Sequence, residues 1–325
     1  MKYSIMTYAE GDRWFNIGDY VQSLAAKQFL PQVDSYVNRE CLGEYKGEPS
    51  KIILNGWFTH HPETWVPADN LIPLFVSLHI NSSAADRMLS KNGITYLKKH
   101  EPIGCRDHYT VRLLKDKGIK AYFTGCLTLT LDSYAKKEPN NEGKIYIVDP
   151  LYGFPNKDRI FTNTKSLIKG IVKGDILNMN SSNEFMQKIF SKSLLNNAEY
   201  IKQELPSKKY TEEEKFQLAE DLLEKYSTAK LVITSRIHCA LPCLALGTPV
   251  IYLNGFEKQF DACRMEGLSE LFHTINVNRK TKEISSNFPI TGLIDENITL
   301  VNKSDYLLLA DELKKKVSTF INNEL

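Results

Sequence analysis

The stretch VITSRIHCALPCLALGTPVIYL, residues 232–253, changes character three times. It runs apolar and β-branched to Thr234, turns polar at Ser235, Arg236 and His238, continues apolar with helical spacing, and becomes β-branched again after Gly247-Thr-Pro249. A strand, a helix and a second strand in succession are the unit of a parallel sheet. The polar residues fall at the carboxyl end of the first strand and the start of the helix. A helix N-terminus offers free N–H groups and the positive end of the peptide dipoles. Arg236 adds a planar fork of donors suited to carboxylate or phosphate. His238 can contact an anion when protonated, or give up a proton as a general acid. Pro242 falls within the first turn or so after His238, where a missing N–H costs little. The same residues suit a structural arrangement, with Arg236 paired to a carboxylate across an interface and His238 capping the helix.

The pattern repeats on both sides of this stretch. KYSIMTY reads as a first strand, and DYVQSLAAKQFL as a helix stopped by Pro31. KIILNGWF (51–58) and LIPLFVSLHI (71–80) read as strands. AADRMLSKNGITYLKKH (84–100) reads as a helix broken near Asn92-Gly93. IGC is a short strand, HYTVRLLKDKG a helix closed by Gly118, and KAYFTGCLTLTL strand and loop. DSYAKKEPNNEGK (132–144) interrupts the alternation with Lys, Glu, Pro, Asn and Gly, and marks a domain boundary. KIYIVDP (144–150) opens a second set. Helical segments follow around 184–204 and 211–228, the latter with Thr211 and Glu214 in capping-box spacing. The charge run Glu212–Lys215 reads as a solvated helix start. An amphipathic helix, 304–321, comes last. The prediction is an α/β protein of two doubly wound domains, 1–135 and 144–325, the last helix packing back on the first domain. Ligands of such sheets bind at the carboxyl ends of the strands.

Composition bounds the function classes. The chain has 325 residues, 42% hydrophobic and 25% charged, with a net charge of +2. That charge is too small for a general nucleic-acid binder. The start carries no long apolar region of a signal peptide, and no segment reaches the roughly 18 apolar residues of a membrane span. The expectation is a cytoplasmic protein. Six scattered cysteines without a CxxC pair read as buried thiols, not as a zinc site. There is no Walker A lysine pattern, G-x-G-x-x-G, H-E-x-x-H or G-x-S-x-G.

Three further strand-end loops carry candidate residues. Asn16-Ile-Gly-Asp19 precedes a helix: Gly18 permits close approach, and Asn16 and Asp19 supply acceptors, with Asp19 a possible general base or a helix cap. Gly104-Cys-Arg-Asp107 repeats the strand–arginine–helix layout, with Asp107 the N-cap and Arg106 either a ligand cation or a surface ion pair. Asn254-Gly-Phe-Glu-Lys258 follows the strand PVIYL and offers Lys258 to a phosphate. His60 and His61 are adjacent in an extended segment and point opposite ways, so they read as loop residues. Trp57, Phe58 and Trp65 beside them could stack on a sugar.

NIGDYVQSLAAKQFL (16–30), IGCRDHYTVRLLKDKGIKAYFTGCLTLTL (103–131) and VITSRIHCALPCLALGTPVIYLNGFEKQFDACRMEGL (232–268) resemble, in this order, the polysaccharide pyruvyl transferase family. The resemblance implies two Rossmann-like domains in a GT-B-like arrangement with an interdomain cleft. It implies transfer of the pyruvyl group of phosphoenolpyruvate onto a sugar of a cell-surface polysaccharide or its lipid-linked precursor, as a ketal. Neither metal nor cofactor is implied. Arg236 and His238 match the family's Arg-x-His element, with Ser235 beside it. Arg106 matches the arginine before the first-domain helix, and Lys258 a phosphate-contacting lysine. Asn16, Gly18 and Asp19 match the Asn-x-Gly-Asp element. The glycine-rich turn common after the family's next strand reads Leu54-Asn-Gly-Trp57 here, a departure. On this reading the first domain is the acceptor side, the second the phosphoenolpyruvate side, His238 the general acid and Asp19 the base. Peripheral contact with the inner face of the membrane would accompany a lipid-linked acceptor. A glycosyltransferase of the same architecture using a nucleotide sugar would need a ribose-binding carboxylate and a base-stacking loop. A non-catalytic carbohydrate- or anion-binding protein would have no reason to keep Arg106, Arg236, His238 and Lys258 together.

Overall fold

The computed structural model describes residues 1–8, 14–135, 143–206, 209–256 and 262–323. The chain is a mixed α/β fold built on two six-stranded sheets. The first takes β1 (Lys2–Thr7), β3 (Ser35–Asn38), β4 (Ser50–Phe58), β5 (Leu71–Ile80), β6 (Ile103–Cys105) and β7 (Ala121–Phe123), in the order β3-β1-β4-β5-β6-β7. All its pairs are parallel. The second takes β8 (Ile145–Val148), β9 (Glu199–Ile201), β11 (Leu231–Thr234), β12 (Val250–Asn254), β13 (His273–Val277) and β14 (Ile284–Ser286). Its order is β14-β13-β12-β11-β8-β9, parallel but for the edge strand β14. A short antiparallel pair, β2 (Trp14–Asn16) with β10 (Glu204–Pro206), ties the two regions together.

Parallel strands are covered on both faces, and their residues divide accordingly. In the second sheet Ile145, Ile147, Leu231, Ile233, Ile251 and Leu253 face a core closed by the helices Ser181–Ile189 and Lys192–Asn197. Tyr146, Val148, Val232, Val250 and Tyr252 face the other way, into a core continuous with that of the first sheet. The helices Ile17–Lys27 and Glu212–Ser227 join there: Tyr20 packs edge-on against Phe216 at 5.2 Å and donates its hydroxyl to Glu212 at 2.7 Å.

Several expectations change in detail. The Thr211–Glu214 capping box is present, and Glu213 and Glu214 of the charge run are exposed as expected, but Lys215 at its end is not. Lys215 is buried over the rings of Phe15 and Tyr20 with its ammonium on Glu212, because this first turn faces the other half of the molecule. The helix expected over 84–100 is two, Ala85–Met88 and Lys91–Lys99. The break falls at Leu89-Ser90, where Ser90 caps the second, and Gly93 lies inside it. There a Cβ would come within 1.9 Å of the Met88 carbonyl oxygen. The helical segment expected to 204 ends at Asn197, and β9 and β10 follow as short paired strands whose pattern was too brief to read. Phe58 and Trp65 are core residues and offer no stacking surface. The expected boundary at 132–144 includes residues outside those described. The last helix, Tyr306–Asn322, lies against the first sheet. Its terminal carbonyls, Phe320, Ile321 and Asn323, accept from the buried Lys51 ammonium of β4 at 2.8, 3.1 and 2.5 Å, a cation on the negative end of the helix dipole.

Candidate active site

The polar strand-end residues converge where the two sheets meet. β11 ends at Thr234, and the next helix runs Ile237–Ala245 with Arg236 at its N-cap. In this sheet the chain leaves β8 to one side and returns to β11 on the other, so Arg236 sits at the point where strand order reverses. Pro242 stands four residues after His238, where its ring and missing N–H meet the His238 carbonyl. His238 is the residue whose backbone departs from helical geometry, at φ −84° and ψ 21°.

His238 is buried, and its Nε2 lies 3.5 Å from Arg106 NH1. A guanidinium only donates, so this Nε2 accepts and the proton of the neutral ring sits on Nδ1. Nδ1 faces the Asp19 carboxylate at 4.0 Å. Burial first, and then the charges of Arg106, Arg264 and Arg236, hold the imidazole pKa well below its ordinary value. Gly18 makes the approach possible. A Cβ there would lie 3.1 Å from the His238 Cβ and 3.1 Å from Gln203 Oε1. Asn16, rather than Asp19, caps this helix, its Oδ1 accepting from the Gly18 N–H at 3.0 Å. That leaves Asp19 facing inward, with Gln22 donating to it at 2.8 Å.

Arg106 and Arg236 occupy equivalent places in the sequence pattern and different environments. Arg106 is fully buried, not a surface ion pair. Its Nε is 3.9 Å from Asp107, outside hydrogen-bond range, and Nε and NH2 have no partner among the described residues. Burial first, and Arg264 next, depress its pKa. Arg236 gives Nε to Asp149 and NH2 to Glu204, both at 2.8 Å, and lies over the Tyr152 ring at 3.9 Å. Burial, the largest single influence, opposes its charge, but Asp149, Tyr152 and Glu204 together outweigh it, so its pKa is raised. Asp149 reaches it from a left-handed backbone, φ 43°, which aspartate tolerates. Ser235 commits its hydroxyl to the frame: it donates to the Leu253 carbonyl at 2.7 Å and accepts from the Leu151 N–H at 2.8 Å. Lys258 lies outside the described residues.

Two residues not singled out from the sequence join this cluster. His79, the penultimate residue of β5, is wholly buried, its Nδ1 2.6 Å from Asp107. Burial lowers its pKa to about 4 against the pull of Asp107. The neutral ring therefore donates Nδ1–H to Asp107 and leaves Nε2 a bare acceptor without a partner among the described residues. Asp107 also caps its helix, accepting from the Thr110 N–H at 2.8 Å. Arg264 sits on the turn Cys263–Met265, with its Nε buried and without a hydrogen-bond partner among the described residues. That turn bridges the two strand-end loops. Met265 Sδ meets the Tyr252 hydroxyl, which also donates to the Ser235 carbonyl at 3.2 Å, while the Glu266 carbonyl accepts from the His108 N–H at 3.1 Å. A polar side chain at the end of an apolar strand, and an arginine just before Gly267, were the available sequence signals for these two.

A cavity of about 430 Å³ borders the same turn, walled by His108, Arg112, Asn254, Met265, Glu266 and Gly267. The arginine cluster is not among its walls. Among the described residues no group of three His, Cys, Asp or Glu side chains is placed to hold a metal ion. Cys239 and Cys243 are buried free thiols on one helix.

A cluster of buried arginines around a buried histidine, set on strand ends of an α/β fold, is the class of site the geometry defines. The chain matches the polysaccharide pyruvyl transferase family over residues 16–255, more than half its length, and belongs to that family. No curated protein sequence matches it. Among solved structures it is similar to a functionally uncharacterized protein from Klebsiella pneumoniae subsp. pneumoniae NTUH-K2044, with 13% identity over 80% of this chain and 86% of that one and a TM-score of 0.40.

Proposed function

We propose that this chain transfers the pyruvyl group of phosphoenolpyruvate onto two hydroxyls of a sugar in a polysaccharide or its lipid-linked precursor, closing a ketal. The observation that carries the reading is Arg106, whose buried guanidinium leaves Nε and NH2 without a hydrogen-bond partner among the described residues. Each such orphaned donor costs about 1–3 kcal/mol, more when charged, and an anion relieves that cost. Phosphoenolpyruvate carries a phosphate and a carboxylate, and Arg106 and Arg264 offer buried donors to both. Lys258 is the proposed third cation. Arg236 acts from behind, holding the strand ends together through Asp149 and Glu204.

In the proposed reaction His238 protonates C3 of the donor, C2 becomes electrophilic, and a sugar hydroxyl adds there as Asp19 takes its proton. Phosphate leaves and the second hydroxyl closes the ketal. Of the two hydroxyl protons, one replaces that given to C3 and one leaves with phosphate. The empty site keeps His238 neutral. Donor anions offset the arginine field, raise its pKa and make it an acid only when substrate is bound. With Arg106 and His238 shut off from solvent, the donor enters by displacement of the Cys263–Met265 turn beside the cavity. The two sheets act as a GT-B-like pair, the first on the acceptor side, in the cytoplasm, with neither metal nor cofactor.

The test is phosphate release from phosphoenolpyruvate against a panel of sugar acceptors, with product mass. Acceptor-dependent release with a ketal-sized mass gain supports the reading. Turnover only with a nucleotide sugar moves the chain to glycosyl transfer.

A further inference from the structure

The helix Thr164–Val172 is a completed element with an uncovered face. Asn163 caps its start, accepting from the Ser166 N–H at 2.9 Å, and Gly174, at φ +68°, closes it by donating to the Ile171 carbonyl at 3.0 Å. Ser166, Lys169, Gly170 and Lys173 share one face by three- and four-residue spacing. That face walls a cleft of about 580 Å³, opposite Phe256, Arg279 and Lys280. Gly170 seats the helix: a Cβ there would lie 3.1 Å from Ile160 Cγ2. The same spacing puts Ile168, Ile171 and Val172 on the opposite face, 57, 58 and 80% exposed. Phe161 before the helix and Leu177 after it are exposed too. Each is a side chain whose burial is worth about 1.5–3 kcal/mol, and nothing among the described residues covers it.

The direction of this face excludes a lid. It points away from the cleft, so closing the helix over the cleft would leave it bare. Its charge selects the occupant. Lys165, exposed, lies next to Ile168 and Val172 on this side of the helix and Lys157 precedes it, while Lys169 and Lys173 line the cleft behind and Asp175 is engaged by Arg279 at 3.5 Å. A two-fold contact with a second copy would set lysines against lysines. An anionic bilayer satisfies both features, taking the apolar side chains at its headgroup boundary and the lysines on lipid phosphates. We propose that residues 157–177 form a peripheral docking element for an anionic membrane surface, with the lysine-lined cleft directly behind it. This does not depend on the pyruvyl-transfer reading, although it suits a lipid-linked acceptor.

The test is co-sedimentation of the whole chain with vesicles of phosphatidylcholine, alone or mixed with phosphatidylglycerol. Binding to the mixed vesicles is expected, weakening with salt. Ile168→Ser/Ile171→Ser should weaken it about tenfold or more, and Lys165→Ala about fivefold. Both variants should keep the wild-type Tm, because the side chains are exposed. No binding to the mixed vesicles overturns the proposal, as does equal binding by the serine variant. A concentration-dependent dimer in light scattering that the serine substitutions abolish would assign the face to a second copy instead.

Discussion

Arg106 and Arg236 follow the same design, a strand end, an arginine and a helix start, and are put to opposite uses. Arg236 at the second sheet is paired on two sides with carboxylates and an aromatic face. Arg106 at the first sheet is more deeply buried and leaves two donors without hydrogen-bond partners among the described residues. The difference teaches that a cation at a strand end is not by itself a ligand site. What singles out Arg106 as the proposed binding residue is the unmet hydrogen-bonding capacity that folding has left in it.

The largest expected effect comes from breaking the paired arginine. Arg236→Met leaves the partly buried Asp149 without its cation, and should lower stability by up to about 3–5 kcal/mol in denaturant unfolding. Arg106→Met removes a buried charge whose nearest carboxylate, Asp107 at 3.9 Å, keeps its bonds from His79 and Thr110, so its Tm should stay at or above wild type. Equal destabilisation by the two would erase the distinction. Next, His238→Gln should cut turnover by about 10²–10⁴ with donor affinity largely kept, measured by steady-state kinetics beside calorimetry. If turnover survives, the proton comes from another group.

A smaller effect is a pH dependence. His79 and His238 both have folded pKa values below the unfolded imidazole value. Between the unfolded value near 6.5 and the folded one the unfolded chain binds more protons, so stability falls as pH falls. For His79 the loss runs from about 6.5 down to about 4. Unfolding curves across that range should show it, and His79→Gln should flatten the slope. Smallest is Gly18→Ala, whose added methyl crowds His238 and Gln203 and should cost about 1 kcal/mol.

Strand ends and helix starts were legible because they rest on local rules. Asp107 as a cap, the Thr211–Glu214 box and the strand before Arg236 follow from spacing alone. The partners of Arg236 were not legible. Asp149 is 87 residues away and Glu204 is 32, and only the return of β8 and β10 to the same edge brings them together. Burial was equally hidden: nothing local distinguishes the shielded Arg106 from a surface arginine, or shows that Lys215 lies under two rings. His79 and Arg264 matter through what surrounds them, which is a property of the packed sheets.

The most direct measurement is calorimetric titration of phosphoenolpyruvate into wild type and Arg106→Met, with the Tm of each. The account predicts saturable binding to wild type and none to the variant, with the variant at least as stable. Undiminished binding by the variant, or a variant that unfolds, would contradict it.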